Sequence, residues 1–137
     1  MRLVSACLAG VKCKYDGGDN RHEKVVELIK NGLAIPVCPE QLGGLPTPRP
    51  PAEIIGDQVL SIRKIDLTDN FRRVAEETLQ LAKLLNCRKA ILKQCSPSCG
   101  YGQIYDGTFN AVIKKGNGIT AALLAEHGIK IITEEDL

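Results

Sequence analysis

The sequence is 137 residues long, with 44% hydrophobic and 25% charged residues and a formal net charge of +2. This length and composition predict one domain over residues 1–137, and the small net charge gives no strong signal for nucleic-acid binding. No apolar run reaches the ~18 residues of a membrane span, and residues 1–5 lack the long apolar segment of a signal peptide. We therefore expect a cytoplasmic protein with no membrane partner.

The hydrophobic pattern predicts strands that alternate with helices. In chain order it predicts strand 3–6, loop 7–20, helix 21–31, strand 33–37, loop 39–51, strand 59–65, a helix capped by Thr68 or Asp69 and ending near 86, strand 89–93, loop 94–107, short strand 110–113, helix 120–127 and strand 129–133. Alternating strands and helices form largely parallel sheets with helices on both faces. The predicted fold is a single-domain α/β, Rossmann-like three-layer sandwich with a mainly parallel sheet.

Three of the six cysteines lie just past the ends of predicted strands. Cys7 and Cys38 follow the first two strands, and Cys99 lies in the loop after the strand at 89–93. Parallel strands end at one edge of a sheet, where α/β proteins build their sites, so we expect these thiols to converge. Three thiolates can hold a metal centre with one position open, and thiolate-rich sites select iron–sulfur clusters or zinc. The alternative is that all three are small buried residues.

The remaining cysteines leave the number of ligands open. Cys13 lies in the same loop as Cys7, and Cys95 precedes Cys99 by four residues, a spacing that zinc pairs also use. Either could join the site or pack in the core. Cys87 lies between a helix and a strand, so we expect it in the core at the opposite edge of the sheet.

Polar and charged side chains accompany the candidate thiolates. Glu40 follows Cys38 by two residues, and a carboxylate there can deprotonate a water molecule. Lys93 ends its strand at the same edge and can hold an anion, while Arg49 lies between prolines that can aim it at a carboxylate or a phosphate. Ser98 can donate a hydrogen bond or build a turn. For each residue the structural alternative is a solvated side chain, an ion pair or a turn.

Two further segments have both a functional and a structural interpretation. Glycines at 116 and 118 precede the last predicted helix, where they can form an anion site or a simple cap. Tyr101 and Tyr105 lie in the loop that follows Cys99. Their rings can stack on a flat ligand or anchor the loop.

Six short motifs spread over nearly the whole chain resemble those of one family. They are VSACLAG at 4–10, YDGG at 15–18, PVCPE at 36–40, GGLPTPRPPAE at 43–53, SPSCG at 96–100 and GITAALL at 118–124. In combination they are similar to the motifs of the thiouracil desulfidases, a family of short bacterial and archaeal proteins. The additional thiols at 13 and 95 are departures from that pattern.

The resemblance implies a [4Fe-4S] cluster held by Cys7, Cys38 and Cys99. It also implies that Glu40 and Ser96 act in catalysis, on a thiolated pyrimidine base or nucleotide. The predicted function is non-redox, hydrolytic removal of sulfur from thiouracil or thiouridine monophosphate. Candidate substrate-binding residues are Lys93, Arg49 and Ser98. The alternatives are a zinc-binding or thiol redox-sensing domain, or a nucleotide-binding module without enzymatic activity.

Overall fold

A four-stranded parallel sheet lies at the centre of the computed structural model, which describes residues 1–137. In chain order the elements are β1 (Arg2–Ser5), α1 (Glu23–Lys30), β2 (Ala34–Val37), α2 (Pro39–Leu42), β3 (Ala52–Ile55), β4 (Gln58–Ser61), α3 (Thr68–Leu84), β5 (Lys89–Leu92), β6 (Tyr101–Tyr105), β7 (Ile113–Asn117), α4 (Ile119–Glu126) and β8 (Lys130–Thr133). The central sheet has the order β2-β1-β5-β8, and every neighbouring pair is parallel. All four carboxyl ends therefore lie at one edge.

Alternate residues of the central strands pack on opposite faces of the sheet, as the two-residue period of a strand requires. Leu3 and Leu92 belong to an apolar cluster with residues of α3 and α4, including Leu79 and Leu124. Val4 and Ile91 belong to a second cluster with Val25 and residues around α1. Helices thus cover both faces, which confirms the predicted three-layer α/β architecture.

Helices α1, α3 and α4 lie where the sequence predicts helices, with small shifts at their ends. The chain leaves α1 through Gly32, whose φ of 72° favours glycine. At α3 the predicted cap was late by one or two residues, because Leu67 occupies the cap position and the helix begins at Thr68. The Asp66 carboxylate accepts hydrogen bonds from the Thr68 amide at 2.9 Å and the Thr68 hydroxyl at 2.6 Å, so Thr68 lies inside the first turn. None of the helices combines the length and the apolar character needed to cross a membrane.

The sequence pattern missed two strands and a short helix. Strand β3 pairs antiparallel with β4, and β6 pairs antiparallel with β7, forming two small hairpins outside the central sheet. The segment 94–107, predicted as a loop, contains β6, and the strand predicted at 110–113 begins only at Ile113. Most β6 and β7 residues are exposed, so neither strand carries the alternating apolar pattern of a half-buried strand. Helix α2 lies in the predicted loop 39–51 and begins at Pro39, a position where proline is favoured.

A third apolar cluster attaches the two hairpins to the helical layer. Ile54 and Val59 from the first hairpin and Ile104 from the second pack with Phe71 of α3. All four side chains are buried. The hairpins therefore form a wall beside the carboxyl edge of the central sheet.

The amino-terminal turn of α4 holds the loop that carries Cys99. The Gly118 amide donates to the Gly100 carbonyl at 2.7 Å, the Ile119 amide to Pro97 at 2.8 Å and the Thr120 amide to Ser98 at 3.0 Å. These groups are therefore engaged by loop carbonyls. The glycines before α4 act as a structural junction, which is the capping alternative rather than an anion site.

Replacing Gly118 with alanine is expected to push the Cys99 loop away from the amino-terminal turn of α4. A β-carbon there would lie 2.5 Å from the carbonyl carbon and oxygen of Ser98, although the φ of −63° suits alanine. We expect Gly118→Ala to lower the free energy of unfolding by ~1–3 kcal/mol, measured by urea denaturation. In the control Gly18→Ala the nearest atom is Asp16 Oδ1 at 3.1 Å, on an exposed side chain, and the change should stay within ~0.5 kcal/mol. Equal stability of both variants would contradict this account.

Candidate functional site

Cys7, Cys38 and Cys99 line one cavity of about 600 Å³ at the carboxyl edge of the central sheet. Cys7 lies in a turn of 3₁₀ helix, Ala6–Ala9, directly after β1, and Cys38 is the residue between β2 and α2. Cys99 lies in the loop that follows β5 and is held by α4. The structure therefore brings together the three thiols that the strand-end pattern selected.

A fourth thiol, that of Cys13, belongs to the same group. It is buried and lines the cavity, and the Cys38 thiol donates to the Cys13 carbonyl at 3.8 Å. Cys87 lies in the apolar core between α3 and β5, as predicted, and Cys95 is buried outside the cavity lining. Of the two cysteines that the sequence left open, only Cys13 reaches the cavity.

Hydrogen bonds and burial act in opposite directions on the pKa values of the Cys7 and Cys38 thiols. The hydrogen bond from Cys13 lowers the pKa of Cys7, and it also lowers the pKa of Cys38 to about 7, with a further contribution from the Gln41 amide. The same contacts raise the pKa of Cys13 itself. Burial raises the pKa of Cys99, and negative charge on Cys7 and Cys38 adds to that rise.

This donor set fits a cationic centre bound by thiolates. Three thiolates in one cavity repel one another, and a metal cation would remove that penalty and favour their deprotonation. No group of three or more Cys, His, Asp or Glu side chains is arranged to hold a single metal ion. Cys95 does not line this cavity, so the zinc alternative at Cys95 and Cys99 gains no geometric support, whereas iron–sulfur clusters are held by cysteine thiolates such as those gathered here.

Glu40 lies in the first turn of α2 and forms a largely buried ion pair with Arg49. The Arg49 guanidinium also donates to the Cys13 carbonyl at 2.9 Å, the Thr47 hydroxyl at 2.9 Å and the Pro46 carbonyl at 3.1 Å. Its hydrogen-bond partners are therefore protein groups around the cavity. Both Arg49 and Glu40 line that cavity, and the arginine fixes the carboxylate beside the thiols.

The two serines of the Cys99 loop have different surroundings. The Ser96 hydroxyl oxygen lines the cavity and accepts hydrogen bonds from the amides of Ser98 at 3.1 Å and Cys99 at 3.0 Å. The proton of the Ser96 hydroxyl is therefore available for donation to a ligand. Ser98 is fully buried, and its hydroxyl bonds to Thr120 at 2.8 Å. The structure does not bring Ser98 to the cavity, where the sequence had predicted a substrate contact.

Lys93 lines the cavity as predicted, but it already has an acidic partner. Its ammonium lies 3.1 Å from Glu134 Oε1. The same carboxylate accepts from the Gln94 amide at 2.8 Å, so it is fixed at the end of β5. A role of Lys93 in binding substrate stays a prediction.

Several lining residues were not found from the sequence. Four of the five aromatic residues contribute to the cavity, namely Tyr15, Phe71, Tyr105 and Phe109. Tyr105 was considered, but Phe109 was not, because it lies in a hairpin loop that carries no periodic signal. Glu53 also lines the cavity from the first hairpin. The sequence offered one signal for Glu53: it is an acidic residue in an apolar segment, two residues after Pro51.

Comparison with known proteins places this arrangement in a family. The family model described as 2-thiouracil desulfurase matches residues 3–136. An uncharacterized protein of Bacillus subtilis (strain 168), YbbK, is 44% identical over an alignment that covers 100% of this chain and 97% of the relative. A solved structure of a [4Fe-4S]-dependent thiouracil desulfidase, TudS, matches with a TM-score of 0.94 and 45% identity, over 98% of this chain and 91% of that one. The chain therefore belongs to the 2-thiouracil desulfurase family.

Proposed function

We propose that this protein is a [4Fe-4S]-dependent desulfidase that removes sulfur from a thiolated pyrimidine by hydrolysis. The observation that carries the proposal is one cavity in which Cys7, Cys38 and Cys99 lie together with Glu40 and Ser96. A family model and a solved structure at 45% identity support the same reaction and cofactor. Six free cysteines fit a reducing compartment, so we also propose a cytoplasmic location.

In this proposal Cys7, Cys38 and Cys99 hold the cluster. The bound cluster supplies a Lewis-acidic iron that polarises the carbon–sulfur bond of the substrate. Cys13 lines the same cavity as the proposed ligands, and hydrogen bonding with its thiol lowers the pKa of Cys7 and of Cys38. Such contacts beyond the ligands orient them and tune a metal centre.

Glu40 is the proposed general base. Arg49 binds Glu40 Oε2 and leaves Oε1 to accept a proton from water. The resulting hydroxide attacks the ring carbon, and the Ser96 hydroxyl donates to the substrate as charge develops. The overall reaction exchanges C=S and H₂O for C=O and H₂S, so it requires no external oxidant or reductant.

Iron content tests the proposed ligands first. Anaerobically reconstituted protein is expected to bind about four irons, with matching acid-labile sulfide and a visible absorption band. Cys7→Ser, Cys38→Ser and Cys99→Ser should each lose most of this iron, whereas Cys87→Ala, at the far edge of the sheet, should retain it. No iron in the parent protein, or full iron in all three serine variants, would contradict the proposal.

Glu40→Gln tests the general base. The amide preserves shape but cannot take a proton, so kcat for thiouracil should fall by ~100-fold or more while iron content stays unchanged. Turnover is measured by the loss of thiocarbonyl absorbance. Glu77→Gln, an exposed change on α3, provides the control with parent activity. Undiminished turnover in Glu40→Gln would remove this residue from the mechanism.

Arg49→Lys distinguishes a positioning role from phosphate binding. Lysine keeps the charge but cannot make the four contacts of the guanidinium, so Glu40 would lose its fixed orientation. We expect kcat to fall ~10-fold or more for thiouracil and thiouridine monophosphate alike, with KM little changed. An increase in KM confined to the monophosphate would instead assign Arg49 to the phosphate.

A further inference from the structure

Gln94 has a buried amide side chain that joins the two ends of the Cys99 loop. It lies two residues after the end of β5 and is only 7% exposed. Its Oε1 accepts a hydrogen bond from the Tyr101 amide at 2.9 Å, and its Nε2 donates one to the Tyr101 carbonyl at 2.9 Å. Because Tyr101 begins β6, these two bonds close the loop 94–101 in the way that a hydrogen-bonded pair joins two antiparallel strands.

The same side chain holds the next residue of the loop. Cys95 has a φ of 69°, a left-handed conformation that is unfavourable for residues other than glycine. Its amide donates to Gln94 Oε1 at 3.2 Å. Such a conformation persists only where the surrounding contacts enforce it, and this bond is one of those contacts. Oε1 thus accepts from two backbone amides, one near each end of the loop.

The backbone of Gln94 is itself fixed to the central sheet. Its amide donates to both oxygens of Glu134, at 2.8 Å and 3.0 Å, in the turn that follows β8. The Lys93 amide donates to the Ser5 hydroxyl at 2.9 Å, at the end of β1. The start of the loop is therefore anchored at two points, and the Gln94 side chain extends this anchorage to the far end at Tyr101.

Between its ends the loop forms a compact turn that carries Ser96 and Cys99. The Gly100 amide donates to the Ser96 carbonyl at 2.9 Å. The Ser96 hydroxyl accepts from the amides of Ser98 and Cys99. A β-carbon on Gly100 would lie 2.8 Å from the Ser96 carbonyl oxygen and 3.1 Å from the Cys95 nitrogen, so the turn packs closely against the residue that the glutamine holds. A shift at Cys95 is therefore passed on to Ser96 and Cys99.

Closure of the loop requires a side chain that both donates and accepts hydrogen bonds. An amide does so, whereas a carboxylate of the same shape would place an acceptor oxygen against the Tyr101 carbonyl, and a thioether would satisfy neither backbone group. Each buried backbone group left without a partner is unfavourable. Gln94 lines the cavity, yet Oε1 accepts two bonds and Nε2 donates one within the loop itself. These internal bonds indicate what the residue does.

We propose that Gln94 is a positioning residue, which holds the Cys99 sulfur and the Ser96 hydroxyl in one fixed arrangement at the cavity by closing the loop that carries both. This inference rests on the proposed desulfidase function, in which Cys99 is an iron ligand and Ser96 donates to the developing charge. Gln94 acts through these two residues rather than on the substrate. Because a displacement of about 1 Å in a positioned group can cost ~100-fold in rate, the closure affects the chemical step and iron retention.

Gln94→Met tests this role, since methionine preserves length but makes at most weak hydrogen bonds. On the iron-loaded enzyme we expect kcat for thiouracil to fall tenfold or more, with KM changed less than threefold. General loosening of the cavity would raise KM as well. The visible circular dichroism of the cluster should change, and a chelator should remove iron about tenfold faster. Gln103→Met, at an exposed glutamine on β6, is the matched control and should behave like the parent.

Amide hydrogen exchange gives a readout that needs no turnover. The amides of Ser98 and Cys99 bond to Ser96 and not to Gln94, so faster exchange there in Gln94→Met would show that the closure acts through the loop. We expect about tenfold faster exchange at both amides, measured by mass spectrometry on the full chain, and no change in Gln103→Met. Should Gln94→Met fail to fold, Gln94→Glu decides the same question, because it keeps the acceptor and loses the donor.

Two outcomes would overturn the inference. One is that exchange, iron release and turnover all stay at parent values when Gln94 is replaced. The other is a rise in KM with kcat unchanged, which would assign Gln94 to substrate contact. A parent enzyme that binds iron but desulfurises no thiolated pyrimidine would instead overturn the proposed function. Exchange and iron release would then still decide the role of Gln94, because neither depends on turnover.

Discussion

Strand β1 pairs in parallel with β2 on one side and with β5 on the other, and the positions of the three thiols that line the cavity, Cys7, Cys38 and Cys99, depend on this pairing. Parallel register brings three carboxyl ends together, so chain segments that are far apart in sequence deliver their side chains to one edge. Cys7, Cys38 and Cys99 each follow one of these strands. The connections after the strands differ: a 3₁₀ turn, a short α helix and a loop held by α4. The sheet therefore sets where the thiols lie, and the connections set how they are aimed.

The Arg49 guanidinium links Glu40, the proposed general base, to the loop between β1 and α1. It binds the Glu40 carboxylate and the Cys13 carbonyl with the same nitrogen, and the segment 46–47 with another. A bridging group of this kind couples the position of a carboxylate to the position of a thiol-bearing loop. This coupling explains why an arginine, with a planar fork of donors, occupies the site rather than a lysine.

The part of the site that could be predicted from the sequence is the part fixed by strand ends. Apolar runs followed by cysteines were enough to group three thiols, because a parallel sheet has one carboxyl edge. Cys13 could not be assigned, since its position depends on the path of an irregular loop. Ser96 and Ser98 are two residues apart in one turn, yet one faces the cavity and the other bonds to Thr120. Side-chain direction in a turn depends on backbone angles that composition does not specify.

The hairpins show the other limit of sequence-based prediction. Strands β6 and β7 are held mainly by pairing with each other, so they have little need of the apolar alternation that reveals a strand. In the sequence Glu53 is an isolated acidic residue in an apolar segment. Only the structure shows that its carboxylate accepts hydrogen bonds from the amides of Gly107 and Phe109 in the loop between β6 and β7. Residues that line the cavity from the two hairpins therefore become apparent only from tertiary contacts.

The cations that line the cavity, Lys14, Arg49 and Lys93, each lie near a carboxylate, and this has a consequence for how a ligand arrives. Paired charges of opposite sign cancel within a few ångströms, well inside the Debye length of ~8 Å at physiological ionic strength. The cavity thus exerts little long-range attraction, and the rate of encounter is set by diffusion and the fit of the entrance rather than by electrostatic steering. The association rate should accordingly vary little with salt concentration.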